Sequence, residues 1–268
     1  MSYFSKKVVV VTGGSDGIGK ALVELLLEKG ARVATCSRSY EKLYELQTAH
    51  AGRPLHIATA DVSKELDCRN FINSVIQTFG TIDILINNAG VSMRALFKDL
   101  ELDTLRTLMD VNFWGTVYCT KFALEEIMHR KGTIVGISSP AGFRGLPGRT
   151  GYSASKFAVN GFLEALRTEV LDDDVNVMWI SPGFTSSNIR NVALDKDAKP
   201  QKENPMDEDK MMSAEDCARF ILEAIEKRRR TLVLTFLGKT SVFINKLFPG
   251  FTDRLVRNFY FKNGKLVK

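Results

Sequence analysis

The chain has 268 residues, 44% of them hydrophobic, and a formal net charge of +6 at pH 7, which allows one substantial core and one or two domains. The four cysteines and three histidines are scattered without a C-x-x-C pair, which argues against a disulfide framework, a zinc site and any other metal centre. No stretch approaches the ~18 apolar residues of a membrane span, and the N-terminus lacks a signal-peptide core, so we expect a cytoplasmic protein.

Apolar runs alternate with helix-like segments, which favours a single α/β domain over residues 1–235. Strands are predicted at residues 6–11, 31–36, 55–60, 82–86, 132–137, 175–180 and 231–235. One helix is predicted from Ala21 to a stop at Gly30, and a second ends at Phe79. A long third helix runs past Asn112 towards His129, a fourth follows Gly151, and a fifth covers residues 214–229. Residues 188–212 are polar and contain two prolines, which predicts a mobile substrate loop or lid.

A glycine-rich segment, T-G-G-S-D-G-I-G, follows the first strand and precedes the first helix. Glycines let the backbone turn tightly and approach a pyrophosphate, and the N–H groups and dipole of the helix favour the anion. This context indicates a dinucleotide-binding loop at residues 12–19. The alternative is a tight glycine turn that binds nothing.

The residues after the second strand bear on which dinucleotide would bind. Chains that bind NAD usually place an acidic residue here for the ribose diol, whereas an arginine accommodates a 2′-phosphate. This sequence has Ser37 and Arg38, with no acid before Glu41, so we predict NADP(H). Asp16 inside the glycine loop is an anion where a cation would suit a phosphate better.

Two further strand ends carry candidate nucleotide contacts. Asp61 and Val62 follow the third strand, where they could meet an adenine ring, although Asp61 could equally cap the next helix. Asn87 to Gly90, N-N-A-G, follow the fourth strand, and small residues there would let the backbone pass close to a cofactor. A plain turn would have a similar composition.

The chemistry is predicted between Ser139 and Lys156. Tyr152 precedes Lys156 by one helical turn, so both side chains would share a helix face, and a protonated lysine would favour the tyrosinate. Ser139 would reach the same place from a strand end and hold a substrate oxygen. Taken alone, the tyrosine and lysine could be a surface pair. Asn112, in mid-helix, could bend the helix or act as a polar relay.

Taken in order, T-G-x-x-x-G-x-G, N-N-A-G, the mid-helix asparagine, the serine, Y-x-x-x-K and P-G resemble the short-chain dehydrogenase/reductase family over roughly residues 6–235. The resemblance implies a catalytic tetrad of Asn112, Ser139, Tyr152 and Lys156. In that tetrad Tyr152 is the acid/base and Lys156 holds the nicotinamide ribose and lowers the pKa of Tyr152. Ser139 positions the substrate oxygen, and Asn112 anchors a water in a proton relay.

The resemblance also implies a set of cofactor contacts. With the residues argued above, the predicted cofactor site comprises Gly13, Ser15, Asp16, Gly17, Ile18, Gly19, Ser37, Arg38, Asp61, Val62, Asn88, Ala89, Gly90, Tyr152, Lys156, Pro182, Gly183, Thr185 and Ser187. The family often shows P-G-x-V-x-T, whereas Thr185 and Ser187 stand at the valine and threonine places here. The backbone contacts to the carboxamide should survive this change.

The fold implied by the resemblance is a single Rossmann-type α/β domain, doubly wound, with a seven-stranded parallel sheet and helices on both faces. The implied reaction is hydride transfer between NADP(H) and a carbonyl or secondary alcohol, in a homodimer or homotetramer. An alternative is a catalytically idle NADP(H) sensor or scaffold. Apolar residues expected near the mouth suggest an apolar substrate: Met93, Phe143, Leu146, Phe184, Met211 and Met212.

Residues 236–268 form a basic C-terminal extension. From Lys227 onward the sequence contains eleven Lys and Arg and a single acidic residue, Asp253, whereas the preceding 226 residues carry a net charge of −4. A helix is predicted with Phe251, Leu255, Val256 and Phe259 on one face. That face could pack on the substrate entrance or a partner subunit, which we favour, or lie on an anionic membrane. We expect no nucleic-acid binding, because the body is acidic and no recognition motif occurs.

Overall fold

The computed structural model describes residues 2–186, 188–201 and 211–267, and a parallel sheet of seven strands lies at its centre. The strand order is β3-β2-β1-β4-β5-β6-β7. The strands are β1 Val8–Thr12, β2 Arg32–Ser37, β3 Leu55–Thr59, β4 Ile84–Asn87, β5 Thr133–Ile137, β6 Asn176–Ser181 and β7 Thr231–Val233. Each agrees with its predicted strand within two residues at either end, and the doubly wound α/β fold is confirmed.

Helices cover both faces of the sheet because its central strands are apolar on both sides. They are α1 Gly17–Glu28, α2 Tyr40–Ala49, α3 Glu65–Phe79, α4 Leu102–Met109, α5 Gly115–His129, α6 Thr150–Glu169 and α7 Ala214–Glu226. In β1, Val9 and Val11 point into the core shared with α1 and α7, whereas Val8 and Val10 point into the core beneath α3, α5 and α6. This period-2 alternation buries every residue of β1.

The long helix predicted through Asn112 is interrupted. A π turn over Asp110–Trp114 joins α4 to α5, and Asn112 lies inside it with only 1% of its surface exposed. Single π turns inside α-helices are frequent at functional sites. The side-chain amide of Asn112 donates to Val91 O (3.0 Å), and its Oδ1 accepts from Val91 N (2.8 Å). These bonds tie the π turn to the loop that follows β4.

The polar segment after β6 is packed over its described part. Residues Asn188–Arg190 form a short 3₁₀ turn, and Ala193 and Leu194 are buried. Leu194 N donates to Ser92 O, and Arg94 N donates to Leu194 O, both at 2.8 Å. Residues 202–210 lie outside the described residues, so the mobility of the predicted substrate loop stays a prediction.

The C-terminal extension forms two helices and a hairpin, where one helix was predicted. Helix α8 spans Phe236–Leu247, α9 spans Pro249–Tyr260, and β8 Phe261–Lys262 pairs with β9 Lys265–Leu266. Phe251 and Leu255, two members of the predicted apolar face of α9, are 57% and 45% exposed and so do not pack on the described body. Contact of that face with a partner subunit stays a prediction. The buried residues of α9 are Thr252 and Tyr260. Within the described part of the chain, no helix has the length and hydropathy to span a bilayer.

Candidate active site

A cavity of about 450 Å³ opens at the carboxyl ends of the strands, where the chain order reverses between β1 and β4. Open α/β sheets bind ligands at such a reversal. We call one part the glycine half; it is lined by Gly13, Ser15 to Gly19, Ser37, Arg38, Asp61, Val62 and Asn88 to Gly90. We call the other the tyrosine half; it is lined by Ser92, Ser139, Leu146, Arg149, Tyr152, Phe184, Arg190 and Tyr260. Lys156 also lines the cavity, at its floor.

The glycine-rich loop is held to the N-N-A-G turn by hydrogen bonds. Thr12 Oγ1 accepts from the backbone N–H groups of Asn88 and Ala89, each at 3.0 Å. Asn88 Nδ2 donates to Thr12 O (2.9 Å) and Gly13 O (3.2 Å). The two segments, far apart in sequence, therefore form one rigid edge of the cavity.

Two glycines are needed where this edge is tightest. Gly13 has φ +70°, and a Cβ there would lie 2.9 Å from the Ala89 Cα. A Cβ on Gly19, at the start of α1, would lie 2.2 Å from Gly13 O. Any larger residue would push the loop into the cavity, so the glycines keep a cradle open for a ligand.

Asp16 caps α1 and does not stand unpaired in the loop. Its carboxylate accepts from Gly17 N (2.8 Å) and from Lys42 Nζ (2.9 Å). Partial burial opposes ionisation, but Lys42 and the Gly17 N–H outweigh it and lower the pKa of Asp16. Sequence reasoning missed Lys42, which lines the cavity beside Ser37 and Arg38. The first turn of a helix directly after Arg38 is the signal that could have found it.

Asp61 and Val62 both line the glycine half, as predicted. Asp61 Oδ1 accepts from the backbone N and the hydroxyl of Ser63, at 3.1 and 2.8 Å. It does not cap α3, whose N-cap residue is Lys64. Asp61 instead stabilises the turn that brings Val62 against Gly115 of α5.

Tyr152 and Ser139 meet in the tyrosine half. Ser139 follows β5 and caps a 3₁₀ turn over Pro140–Gly142, and its hydroxyl, which accepts from Ala141 N (3.1 Å), lies near the Tyr152 phenol. Burial raises the pKa of Tyr152, while the nearby Ser139 hydroxyl and the positive charges of Arg149 and Arg190 act in the opposite direction. The phenol is therefore protonated at neutral pH in this arrangement.

Lys156 lies deeper in the cavity, with 5% of its surface exposed. Its ammonium donates to Ile137 O (2.8 Å) and lies 5.7 Å from the centroid of the Tyr152 ring. Burial lowers the pKa of Lys156 to about 8. The groups that lower the pKa of Tyr152 are Ser139 and the two arginines, so the lowering by Lys156 that the sequence predicts is absent from this arrangement.

Asn112 fixes the position of the helix that carries Tyr152 and Lys156. Its amide donates to Ser155 Oγ (2.9 Å), and that hydroxyl donates to Tyr152 O (2.8 Å). Gly90 lies between the two polar groups, since a Cβ there would be 3.1 Å from Asn112 Oδ1 and 3.5 Å from Lys156 Nζ. Asn112 therefore lies in the π turn that interrupts the helix and bonds to Val91 and Ser155, while its role as a polar relay stays a prediction.

The segment after β6 lines the cavity with Pro182, Gly183, Phe184 and Thr185, whereas Ser187 lies outside the described residues. Of the six apolar residues predicted near the mouth, Leu146 and Phe184 line the cavity. Met93 is fully buried in a separate core, Phe143 and Met212 pack against the two main cores, and Met211 is half-buried away from the lining.

The sequence analysis also missed the two arginines and the second tyrosine of the tyrosine half, Arg149, Arg190 and Tyr260. Arg149 precedes Tyr152 by three residues, and helical spacing could have placed it on the same face. Arg190 is buried and donates twice to Thr185 O, at 2.9 and 3.0 Å. Tyr260 comes from the C-terminal extension, and no local pattern predicts its position. Across the described residues, no cluster of three His, Cys, Asp or Glu could hold a metal ion.

This fold and this cleft define a doubly wound α/β protein with its ligand cavity at the strand reversal. The profile of the short chain dehydrogenase family matches residues 7–198. The chain belongs to the short-chain dehydrogenase/reductase family, whose members are oxidoreductases that use a nicotinamide cofactor.

Relatives and solved structures agree with this assignment. The chain is 33% identical over 264 residues to dehydrogenase/reductase SDR family member 7B of Mus musculus, covering 95% of this chain and 81% of the relative. It is 33% identical over 267 residues to 11-beta-hydroxysteroid dehydrogenase A of Arachis hypogaea, covering 95% and 75%. A short chain dehydrogenase/reductase from Burkholderia phymatum, solved in complex with NAD, superposes with a TM-score of 0.83 at 22% identity, covering 94% of this chain and 96% of that one.

Proposed function

We propose that this protein transfers hydride between NADP(H) and a carbonyl or secondary alcohol, with Tyr152 as the acid/base. The observation that carries the proposal is that Ser139 and Tyr152 line the same cavity as buried Lys156 and the glycine cradle, with the Ser139 side chain near enough to act on the pKa of Tyr152. A sensor that only binds a cofactor needs no such proton donor. The arrangement therefore favours an enzyme over an idle family member.

The residues present fit a dinucleotide. Gly13 and Gly19 leave room for a pyrophosphate against the backbone, and the N-terminus of α1 faces it. Arg38 and Lys42 supply two cations where a 2′-phosphate would lie, which supports NADP(H) over NAD(H). When bound, the nicotinamide supplies or accepts the hydride.

The protein's own part in the reaction is proton transfer and positioning. In the reducing direction Ser139 holds the carbonyl oxygen and Tyr152 donates its proton to it; in the oxidising direction Tyr152 takes that proton back. The raised pKa keeps Tyr152 protonated at neutral pH, as an acid must be. Asn112 orients the helix of Tyr152 through Ser155, and its anchoring of a relay water stays a prediction.

The test compares Tyr152→Phe with the wild type on a panel of apolar ketones and aldehydes. Positioned acid–base groups contribute about 10²–10⁴-fold, so we expect a loss of that size in kcat, with NADPH binding retained. Tyr44→Phe, at an exposed tyrosine of α2, is the control and should keep full activity. Equal turnover by Tyr152→Phe and the wild type would contradict the proposal.

A second role rests on the exposed apolar side chains of the extension. We propose that α8 and α9 lie on an anionic lipid surface, because Phe243, Phe248 and Phe251 are 65%, 62% and 57% exposed beside Lys246, Arg254 and Arg257. Exposed aromatic and basic residues together match a membrane interface better than a dry protein contact.

Pelleting with anionic vesicles tests this role. Phe248→Ser with Phe251→Ser should reduce pelleting several-fold, whereas Phe97→Ser, equally exposed on the body at 62%, should not. If the double variant instead changes the oligomeric state and no vesicle binding occurs, the face contacts a second copy.

Family members usually oligomerise, and we propose a homodimer or homotetramer here. Trp114 in the π turn and Phe157 in α6 are 42% and 47% exposed, which makes these aromatic residues candidates for such a contact. Light scattering on the wild type and on Phe157→Glu tests it, since a charge at the contact would shift the protein towards monomer.

A further inference from the structure

The C-terminal extension is anchored to the loop between β5 and α6. The Arg144 guanidinium donates to Asn245 Oδ1 of α8 (2.9 Å) and pairs with Asp253 of α9. Asn245 Nδ2 returns a hydrogen bond to Phe143 O (3.3 Å). These contacts hold both helices beside the entrance to the tyrosine half.

The hairpin after α9 continues this anchoring. Leu266 packs on Gly148 so closely that a Cβ on that glycine would lie 2.6 Å from Leu266 Cδ2. Val267 N donates to Tyr260 O (2.9 Å), which closes the hairpin on the last residue of α9. The extension therefore ends in a folded element that packs on the loop between β5 and α6.

This anchoring places Tyr260 in the cavity. The residue is 4% exposed and lines the tyrosine half, and the Arg149 side chain lies close enough to its hydroxyl to act against the rise in its pKa. Burial raises the pKa of Tyr260, and the nearby Tyr152 acts in the same direction. Tyr260 is therefore a neutral phenol beside the proposed catalytic phenol.

Arg149 is the cation of this pair. It stands at the N-cap position of α6, and its guanidinium donates to Ser92 Oγ (2.8 Å). Ser92 and Tyr260 leave part of its donor capacity unused, since a guanidinium has five N–H groups. Among the ion pairs of the described residues, none joins Arg149 to a carboxylate.

The charges in the cavity are distributed unevenly. Its described acidic residues, Asp16 and Asp61, both belong to the glycine half, and both already accept hydrogen bonds there. The tyrosine half contains Arg149 and Arg190 with no acid among its described lining residues. A substrate that enters this half meets the Arg149 guanidinium beside the apolar Leu146 and Phe184.

We propose that Arg149 and Tyr260 form a subsite for a carboxylate of the substrate, so that the protein acts on an apolar oxo acid or hydroxy acid. This rests on the proposed function. The planar guanidinium suits a carboxylate, and the Tyr260 hydroxyl supplies a second donor to it. The reacting carbonyl lies at Ser139 and Tyr152, the carbon chain lies along Leu146 and Phe184, and the carboxylate is bound without being changed.

The experiment measures kcat and KM for straight-chain oxo acids of increasing length and for their methyl esters, with NADPH. The acid and its ester share the carbonyl and the chain, so any effect of Arg149 on Tyr152 changes both equally. Arg149→Gln should raise the KM of the acid about 10- to 100-fold more than that of the ester, the size of a charge-assisted hydrogen bond. Tyr260→Phe should give a selective loss of about 3- to 10-fold.

Two controls separate binding from structure. Arg106→Gln, an exposed arginine of α4 outside the cavity, should leave the acid-to-ester ratio unchanged. Calorimetry with decanoate and with decanol, on NADP-loaded protein, reports binding without turnover. If Arg149→Gln weakens the binding of decanoate and leaves that of decanol unchanged, the subsite is supported. This holds even if the protein reduces no carbonyl compound, and in that case only the proposed function fails.

Three outcomes overturn the subsite. One is an equal loss for acid and ester in Arg149→Gln, which would make the arginine a tether of the extension. Another is a selective loss that follows Arg190→Gln and not Arg149→Gln. The third is a wild type that binds decanoate no better than decanol.

Discussion

The glycine half and the tyrosine half of the cavity present different groups to a ligand. The glycine half offers mainly backbone from consecutive residues of two loops, fixed by Thr12 and Asn88. The tyrosine half offers side chains from the loop after β4, the end of β5, α6, the segment after β6 and the C-terminal extension. One half is made by local turns and the other by long-range packing.

This difference determines which positions of the cavity tolerate substitution and which do not. Backbone groups are present whatever the side chains are, so the glycine half needs only small residues and a fixed turn. Side chains from distant segments can each be exchanged without altering the sheet. We therefore propose that substrate choice resides in Arg149, Phe184, Arg190 and Tyr260 more than in the shared framework.

The largest effect is expected from a side chain added to the glycine half. Gly13→Ala places a Cβ at φ +70° and 2.9 Å from the Ala89 Cα. Backbone strain and overpacking together should cost about 2–4 kcal/mol of unfolding free energy, and NADPH affinity should fall at least about 10-fold. Urea unfolding and fluorescence titration measure the two quantities.

The matched control for Gly13→Ala is Gly161→Ala in α6, where a Cβ would meet nothing within 4 Å. Alanine is the better helix former, so this variant should be neutral or up to about 1 kcal/mol more stable. If both variants behaved alike, the glycine half would not depend on its close backbone approach.

The next effect concerns buried Lys156, at the floor shared by the two halves. Its pKa is lowered from 10.5 to about 8, so folding favours its neutral form. At about 1.4 kcal/mol per unit, and with the hydrogen bond to Ile137 O subtracted, Lys156→Met should be about 2 kcal/mol more stable at pH 7 while losing activity.

The stability difference between Lys156→Met and the wild type depends on pH because the pKa of Lys156 is lowered in the folded state. Below pH 8 the burial penalty is fully present, because the lysine is protonated in both the folded and the unfolded states. Between pH 8 and 10.5 the unfolded chain binds more protons, so the wild type gains stability relative to Lys156→Met as pH rises. A constant difference from pH 7 to 10.5 would show that the ammonium is not penalised by burial.

The smallest effect tests which nucleotide the glycine half prefers. Arg38→Ala should weaken NADPH binding about 10-fold and leave NADH binding nearly unchanged, because the lost partner is the 2′-phosphate. Arg53→Ala, an exposed arginine between α2 and β3, serves as the control. Equal weakening of both nucleotides by Arg38→Ala would remove the proposed NADP(H) preference.

The two halves also differ in how much the sequence predicts. Strand, glycine loop and helix are consecutive, so order alone indicates the place of Gly13, Ser15 to Gly19 and Asn88 to Gly90, all of which line the cavity. Lys42 was missed although its position in the first turn of α2, soon after Arg38, could have indicated it. Tyr260 could not be found, since its position depends on Arg144, Gly148 and the fold of residues 236–267. The π turn at Asn112 likewise depends on Val91 and Ser155, which are distant in sequence.

The most direct test of hydride transfer is isotopic. NADPH deuterated at the transferred position of the nicotinamide is incubated with the protein and a carbonyl substrate, and the alcohol is analysed by mass spectrometry and NMR. The account predicts deuterium on the carbinol carbon, with Tyr152→Phe abolishing its appearance. Alcohol formed without deuterium at that carbon, or formed equally by Tyr152→Phe, would contradict it.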